Sequence, residues 1–277
     1  MSTELLPGVV QPLARGVRRL IAPNPGMMTG PGTNTYLVGE RTIAVIDPGP
    51  RIESHVAAIQ MHAGGTIAWI LVTHTHPDHS PAAEQLAKET GAELLGQPAP
   101  HGQHQDPTFR PDRVLQDGDA LHTDEFRLSA LHTPGHASNH LCYLHAEHRI
   151  LFTGDHIING STVVIDPPDG NMGQYLDSLR RLRTADIAAI APGHGEVFTN
   201  PVETIDWIVA HRLQREAKVF AMLQKHPGLT TAELVRHVYD DVGADRHAVA
   251  ERSLLAHLQK LAEDGRAAET DGRWQVL

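Results

Sequence analysis

The chain has 277 residues, which is enough for one large folded domain with a smaller one beside it. Charged residues make up 20% of the sequence and hydrophobic residues 40%, a balance typical of globular proteins. The formal net charge of −10 argues against a general attraction to nucleic acid or to an acidic membrane surface. The 20 histidines exceed ordinary usage, so a single histidine carries little information by itself.

The chain contains one cysteine, Cys142, which excludes an intrachain disulfide and fits a reducing compartment. Cys142 lies in an apolar run, and we interpret it as a small buried hydrophobic residue. Residues 1–8 have neither a basic start nor a long apolar stretch. We therefore expect no signal peptide and no transmembrane segment, and a cytoplasmic location.

Short apolar runs alternate with Gly and Pro turns over the first 200 residues. Helices are predicted at 80–90 and at 171–183, the second opened by a capping box from Asn171 to Gln174. Strands are predicted at 35–38, 43–46, 66–72, 126–131, 141–144, 150–152 and 187–191. Paired strands with interspersed helices predict an α/β sandwich.

The pattern changes after Thr199 to helices followed by a hairpin. Helices are predicted at 201–225, from 230 onward, and at 245–264. Asp271-Gly272 between two short runs is a strong hairpin signal. This order is typical of a winged-helix module, so we expect one domain at 1–199 and a small winged-helix-like α+β domain at 200–277.

The run from Thr73 to Ser80 places three imidazoles and one carboxylate within six residues, as His74, His76, Asp78 and His79. It directly follows the predicted buried strand at 66–72. Ligands at the carboxyl end of a buried strand lie where α/β folds bind ligands. Imidazole with carboxylate suits zinc, iron or manganese, so the run predicts a metal site.

Three later patches have the same character, because each places a His or Asp just past an apolar run and beside glycine. Their ligand residues are His136, Asp155 and His194. A histidine after Pro-Gly is by itself an ordinary turn residue. Together with the first run, the patches supply a set of metal ligands that no single loop could provide.

This series, with Asp47 upstream, resembles the complete motif set of the metallo-β-lactamase superfamily over residues 30–195. The resemblance implies an αββα metallo-β-lactamase sandwich with two divalent metals. It implies ligands for one metal at His74, His76 and His136, and for the other at Asp78, His79 and His194. It further implies that Asp155 bridges both metals and that Asp47 positions the site.

The chemistry expected from this ligand set is hydrolysis. Two metals about 3.5–4 Å apart can share a hydroxide of lowered pKa, which attacks a carbonyl or phosphorus centre. Asp78 or the hydroxide itself would manage the proton, so Asp78 and Asp47 are the catalytic candidates. Zinc is the default metal, and iron and manganese fit the same ligands.

The bridging Asp155 and the expected absence of a signal peptide separate the chain from true β-lactamases, which carry Cys or Ser at that position. Histidine at position 76 separates it from flavodiiron reductases, which carry Glu. The stretch from Gly30 to Gly39, with the terminal module, resembles the lactamase-like endoribonuclease group over nearly the whole chain. Relatives in that group include ribonucleases, thioesterases and unassigned hydrolases.

Two observations bear on the substrate. Only 38 residues separate Asp155 from His194, too few for the inserted domain of many nucleases of this superfamily. Residues 226–277 carry six Lys/Arg and nine Asp/Glu, a net charge of −3, which disfavours a DNA-reading module. We therefore interpret the module as a lid, packing or dimer element.

The first hypothesis is a hydrolase of a small-molecule ester or thioester, with no DNA or membrane partner. The alternative is a single-strand-directed endoribonuclease, so RNA stays open as a partner. A β-lactamase or lactonase ranks below both, and a metal-free binding protein would need a degenerate ligand set. The oligomeric state is not predicted.

Other polar residues have two interpretations each. Asn34, Tyr36 and Tyr175 could border the site or pack in the core, and the loop 166–170 could border the cleft or simply turn. Supporting positions behind the ligands are predicted for His132 and His156. Surface positions are predicted for His140, His145 and His148.

Overall fold

The computed structural model describes residues 5–102 and 104–277. They form two compact units. The first comprises the chain up to residue 133 with 139–161 and 185–201, and the second comprises 134–138, 162–184 and 202–277. Across the described ranges, no helix is both long and apolar enough to span a membrane.

The first unit contains a seven-stranded sheet with its strands in chain order. Strands β1 to β4 are antiparallel, whereas β4 to β7 are parallel. The strands are β1 (Gln11–Ala14), β2 (Val17–Ile21), β3 (Asn34–Val38), β4 (Thr42–Ile46), β5 (Thr66–Leu71), β6 (Glu93–Gly96) and β7 (Arg113–Val114). The parallel connections run through α1 (Glu53–Ala63) and α2 (Ala83–Thr90).

The second sheet of this unit has five strands in the order β12-β11-β10-β9-β8. They are β8 (Ala120–His122), β9 (Arg127–His132), β10 (Leu141–His145), β11 (Ile150–Gly154) and β12 (Ala189–Pro192). One buried cluster joins apolar side chains of both sheets, and Tyr36 meets Phe152 with ring centroids 4.9 Å apart. The predicted α/β sandwich is confirmed.

Helices α1 and α2 cover the other face of the seven-stranded sheet, where Val56, Ile59 and Leu86 join its buried cluster. Helix α2 begins three residues later than the predicted 80–90. The preceding residues form turns instead, with His79 N donating to His76 O at 3.0 Å and Ala83 N to Ser80 O at 2.8 Å. These turns carry the predicted ligands, which explains the shorter helix.

The second unit is helical, with a terminal hairpin. Its elements are α3 (Met172–Arg183), α4 (Pro201–Lys225), α5 (Thr231–Val238), α6 (His247–Glu263), β13 (Ala267–Thr270) and β14 (Arg273–Val276). The first residue of α4, Pro201, is assigned to the first unit, and the rest of the helix to the second. Leu234, Leu254 and Trp274 lie in its buried core. Leu229 forms an isolated antiparallel bridge with Trp274 beside the two-stranded hairpin.

Two helices of this unit begin at capping side chains, Thr230 for α5 and Asn171 for α3. Thr230 and Glu233 form a complete capping box at the start of α5. Asn171 forms only half of one: its side chain accepts from Gln174 N at 2.9 Å, but its own N–H donates to Gly135 O at 2.8 Å. Helix α3 is therefore tied at its start to the loop that carries His136.

Candidate metal centre

The predicted ligands of the first unit meet because neighbouring strands end at the same edge. Strands β4 and β5 are parallel, and Asp47 N donates to Leu71 O at 2.9 Å just past their ends. Strands β11 and β12 are also parallel, and Gly193 N donates to Gly154 O at 2.7 Å. Residues that follow these strands therefore lie side by side, as expected at the carboxyl edge of parallel strands.

Asp47 fixes the orientation of this edge. It is buried and has φ 50°, a left-handed conformation that aspartate tolerates better than most residues. Its carboxylate accepts from Thr73 N and Thr73 Oγ1, each at 2.7 Å, and lies 2.9 Å from His79 Nδ1. A carboxylate only accepts here, so the proton of His79 lies on Nδ1 and its Nε2 carries the lone pair.

Four ligand atoms converge beside it, one each from Asp78, His79, Asp155 and His194, and all lie within 4.8 Å of one another. His194 Nδ1 lies 3.2 Å from Gly32 O, which directs its Nε2 to the centre in the same way. Both Nε2 atoms are buried without an aligned hydrogen bond among the described residues. Two imidazole lone pairs with two carboxylates match the donor set of a divalent transition metal.

The charges at this centre favour a cation. Burial by itself would raise the pKa of Asp78, but His79 and His194 lower it to about 2. Burial would lower the pKa of His194, but Asp155 and Asp78 raise it to about 10. The two carboxylates therefore favour positive charge at the His194 ring. A bound divalent ion would supply that positive charge instead of a proton, so the ring could stay neutral and offer its Nε2 lone pair.

The predicted ligands of the other metal divide between the two units. In the first unit His74 Nε2 lies 2.9 Å from His76 Nδ1, and His74 Nδ1 lies 3.1 Å from Thr73 Oγ1. His136 belongs to the second unit, where its Nδ1 lies 2.8 Å from Val164 O. Thr73 and Val164 engage Nδ1 of His74 and of His136, so Nε2 is the nitrogen of each of these two rings that could bind a metal.

Threonine residues that the sequence analysis did not single out support these ligands. Thr73 bonds to both Asp47 and His74, and Thr33 Oγ1 donates to Asp78 Oδ2 at 3.4 Å. Asn24 holds Thr33 at two points, with bonds of 2.9 and 3.0 Å. The only sequence signal was the position of each threonine directly beside a motif residue.

The predicted surface positions of His140 and His145 are wrong, because both side chains are buried. His140 directly precedes β10 and His145 is its last residue, and β10 is the central strand of the second sheet, so both ends of that strand are covered. The His140 ring stacks on His74 with centroids 5.0 Å apart, and its Nδ1 lies 2.9 Å from Thr133 Oγ1. His148 is half-buried, and its Nε2 lies 2.8 Å from Arg15 O. The predicted supporting residue His156 is fully buried, and His132 is half-buried.

The three residues considered for substrate contact are all buried. Asn34 donates to Pro192 O and Gly195 O, each at 2.9 Å, and the Tyr36 hydroxyl donates to Pro192 O at 2.6 Å. Both residues thus hold the turn that carries His194. The packing interpretation is confirmed for Tyr36 and for Tyr175, whose side chain has no exposed surface.

Two facing sheets whose strand ends gather His and Asp define the class of protein: an α/β sandwich with a potential divalent-metal site. The chain belongs to the metallo-β-lactamase superfamily, whose family profile matches residues 28–194. A second profile, described as a beta-lactamase associated winged helix domain, matches residues 230–274. The fold class and the family resemblance are confirmed, and the chain is a hydrolase of this superfamily.

Relatives cover nearly the whole chain. A "Beta-lactamase-like protein 2 homolog" of Caenorhabditis elegans is 28% identical over 92% of this chain and 87% of its own length. An "Atrochrysone carboxyl ACP thioesterase" of Aspergillus chevalieri is 32% identical over 97% of this chain and 89% of its own. The crystal structure of a beta-lactamase domain protein from Burkholderia ambifaria superposes with a TM-score of 0.84 at 23% identity, covering 99% of this chain and 96% of that one.

Proposed function

We propose that this protein is a dinuclear metal-dependent hydrolase of acyl thioesters or related esters. The observation that supports it best is the group of four converging ligand atoms in the first unit, from Asp78, His79, Asp155 and His194. The imidazoles are already turned with Nε2 inward by Asp47 and Gly32. A relative named as a thioesterase, 32% identical along almost the whole chain, favours thioester cleavage.

The proposed ligand assignment follows the family pattern. It gives His74, His76 and His136 to one metal, Asp78, His79 and His194 to the other, and Asp155 to both. A bound metal pair supplies a water molecule of lowered pKa and a Lewis acid for the substrate carbonyl. Zinc is the proposed metal, and iron or manganese suits the same donors.

The remaining roles belong to side chains of the chain itself. Asp47 holds His79 in one tautomer, as supporting carboxylates commonly do for metal-binding histidines. Asp78 is 27% exposed, the most open of the four converging side chains. Its carboxylate is ionised at neutral pH, so it can accept a hydrogen bond from the attacking water and orient that water for loss of its proton.

Three further expectations stay predictions alongside this function. They are the domain boundary between residues 199 and 200, the cytoplasmic location, and RNA as the alternative substrate. The net charge of −3 over residues 226–277 gives the winged-helix module no electrostatic preference for RNA. We therefore place thioester hydrolysis first.

The test compares substrates on one zinc-loaded preparation. We expect hydrolysis of acyl-coenzyme A and carrier-protein thioesters, and little cleavage of unstructured RNA, a β-lactam or a lactone. Asp78→Ala should lower thioesterase activity by about 10²–10⁴-fold, because it removes both a ligand and a hydrogen-bond acceptor for the attacking water. Asp112→Asn is the control, since Asp112 accepts from Leu94 N in the β6 region at 2.9 Å and is not one of the predicted site residues. RNA cleavage that depends on Asp78, with inert thioesters, would instead support the endoribonuclease.

A further inference from the structure

The loop Pro134–Ser138, which carries His136, is held by residues 162–184 of the same unit. His136 Nδ1 lies 2.8 Å from Val164 O, Asn171 N donates to Gly135 O at 2.8 Å, and Ser178 Oγ donates to Pro134 O at 2.9 Å. A carbonyl can only accept, so the His136 proton lies on Nδ1. The Val164 carbonyl therefore sets both the tautomer and the ring orientation of His136.

The residues around Val164 are themselves anchored by two arginines from the C-terminal helices. The Arg212 guanidinium of α4 donates to Val163 O, and the Arg252 guanidinium of α6 donates to the Asp166 carboxylate. We call residues 163–166 the support segment. Each end of this segment is thus fixed by a helix that lies more than 40 residues later in the chain.

Arg212 is also linked to the His136 loop through Tyr175 of α3. Its guanidinium carbon lies 5.5 Å from the centre of the Tyr175 ring. The backbone of Tyr175 packs directly on Gly135, where a Cβ would lie 2.3 Å from Tyr175 Cα. Arg212 therefore contacts both elements that hold the His136 loop, the support segment and α3.

Burial of the Arg212 side chain lowers the stability of the folded chain. It is 4% exposed, and its Nε is buried without a hydrogen-bond partner among the described residues. Burying a guanidinium with an unpaired donor opposes folding, whereas a methionine of similar length would cover the same surface at lower cost. An arginine is not needed at this position merely to cover apolar surface. Its hydrogen bond to Val163 O is a contact that a methionine could not make, and it explains the arginine.

We propose that Arg212 is a positioning residue for His136, and that the C-terminal helices serve to scaffold this metal ligand. The proposal rests on the proposed function, in which His136 binds one of the metals. Loss of Arg212 would release the Val163 carbonyl and let the support segment shift, so that Val164 no longer fixes the imidazole. Loss of such a supporting contact typically weakens metal binding about 10–100-fold.

The decisive variant is Arg212→Met, and Arg215→Met is its matched control. Arg215 lies one turn further along α4, donates to the Val238 carbonyl at 2.8 Å, and stacks over Tyr239 at 4.4 Å. Its substitution removes the same kinds of contact, and in addition two bonds to the Asp241 carboxylate, without touching the support segment. Zinc stoichiometry and affinity would be measured by competition with a chromogenic chelator, with circular dichroism as the check of folding.

We expect Arg212→Met to bind the weaker of its two zinc ions at least about tenfold less tightly than Arg215→Met does. Arg212→Lys, which keeps a donor, should recover part of the loss. If Arg212→Met does not fold, Arg252→Gln replaces it, because that variant frees the other end of the support segment from a partly exposed side chain. Zinc affinity equal to that of the control in the folded variant overturns the proposal.

His136→Ala separates this proposal from the proposed function. If it binds two zinc ions as tightly as the unmodified chain, His136 is not a ligand and both ideas fail. If it loses one zinc while the arginine variants keep both, the metal assignment stands and only the positioning role is wrong.

Discussion

At the scale of single residues, the centre depends on groups that a sequence pattern does not reveal. The spacing of His74, His76, Asp78 and His79 predicted metal ligands, because ordinary surface or core positions hardly explain four potential ligands so close in sequence. Nothing in the sequence distinguished His140, which is buried against His74, from a surface histidine. That distinction depends on which strand lies in the middle of a sheet.

Gly193 shows how closely the backbone approaches the ligands. A Cβ at this position would lie 2.6 Å from Asp155 Oδ1 and 2.7 Å from His79 Cε1. Gly193→Ala should therefore displace one of these ligands and weaken zinc binding by about tenfold or more. Chelator competition would measure the change. Gly173→Ala is the control, because the nearest atom to its Cβ is 3.3 Å away. Equal zinc affinity in both variants would contradict this account.

At the scale of helices and strands, short-range sequence signals correctly predicted those helix ends that depend only on neighbouring residues. The predicted end of α2 at residue 90 is confirmed, and Gly91 follows it in a left-handed conformation, as glycine commonly does at helix ends. The start of α2 and the half-made box at Asn171 differ from prediction because their backbone groups serve the ligand loops instead. The short strands β1 and β2, and helix α1, had no strong periodicity and were not predicted. Strands β1 and β2 pair with each other across a short turn, and β2 also pairs with β3.

The capping box at Thr230 gives a prediction at this scale. Thr230 Oγ1 accepts from Glu233 N at 3.3 Å, and Glu233 Oε2 accepts from Thr230 N at 2.9 Å. Thr230→Ala removes the first bond and should cost about 1 kcal/mol of local stability. Amide hydrogen exchange in α5 should then accelerate about fivefold where opening is local. Thr231→Ala, on the next residue, should leave these rates nearly unchanged, and equal acceleration in both would count against the cap.

At the scale of the whole molecule, the predicted site residues extend from Asp47 to His194 along the chain, and those of the first unit meet at the ends of separate strands. The residues alone predicted a metal site built from several loops, and the family resemblance assigned its ligands to two metals. The sequence did not predict that His136 is held by the helical unit, because the bonds to Val164 and from Arg212 join segments far apart in the chain. The fold also buries histidines away from the metal centre, and these make stability depend on pH.

His55 in α1 is the clearest case. It has 1% exposure, and its Nε2 lies 2.8 Å from Thr35 Oγ1, whose proton goes to Asp47 O at 2.6 Å. The ring must therefore donate through Nε2, and its buried Nδ1 has no partner among the described residues. A second proton would lie on Nδ1 with nothing to accept it. Burial accordingly lowers the pKa of His55 to about 4.

This lowered pKa fixes the direction of the pH effect. The unfolded chain takes up a proton at His55 near pH 6.5, whereas the folded chain does so only near pH 4. The contribution of the neutral His55 ring to the free energy of unfolding is therefore fully present above pH 6.5 and is lost as the pH falls towards 4. Between pH 7 and pH 5 the loss should be about 2 kcal/mol. Urea unfolding at both pH values should show a smaller drop in His55→Gln, which keeps a donor but does not titrate. His62→Gln in the same helix should behave like the unmodified chain, and an unchanged drop in His55→Gln would assign the acid sensitivity elsewhere.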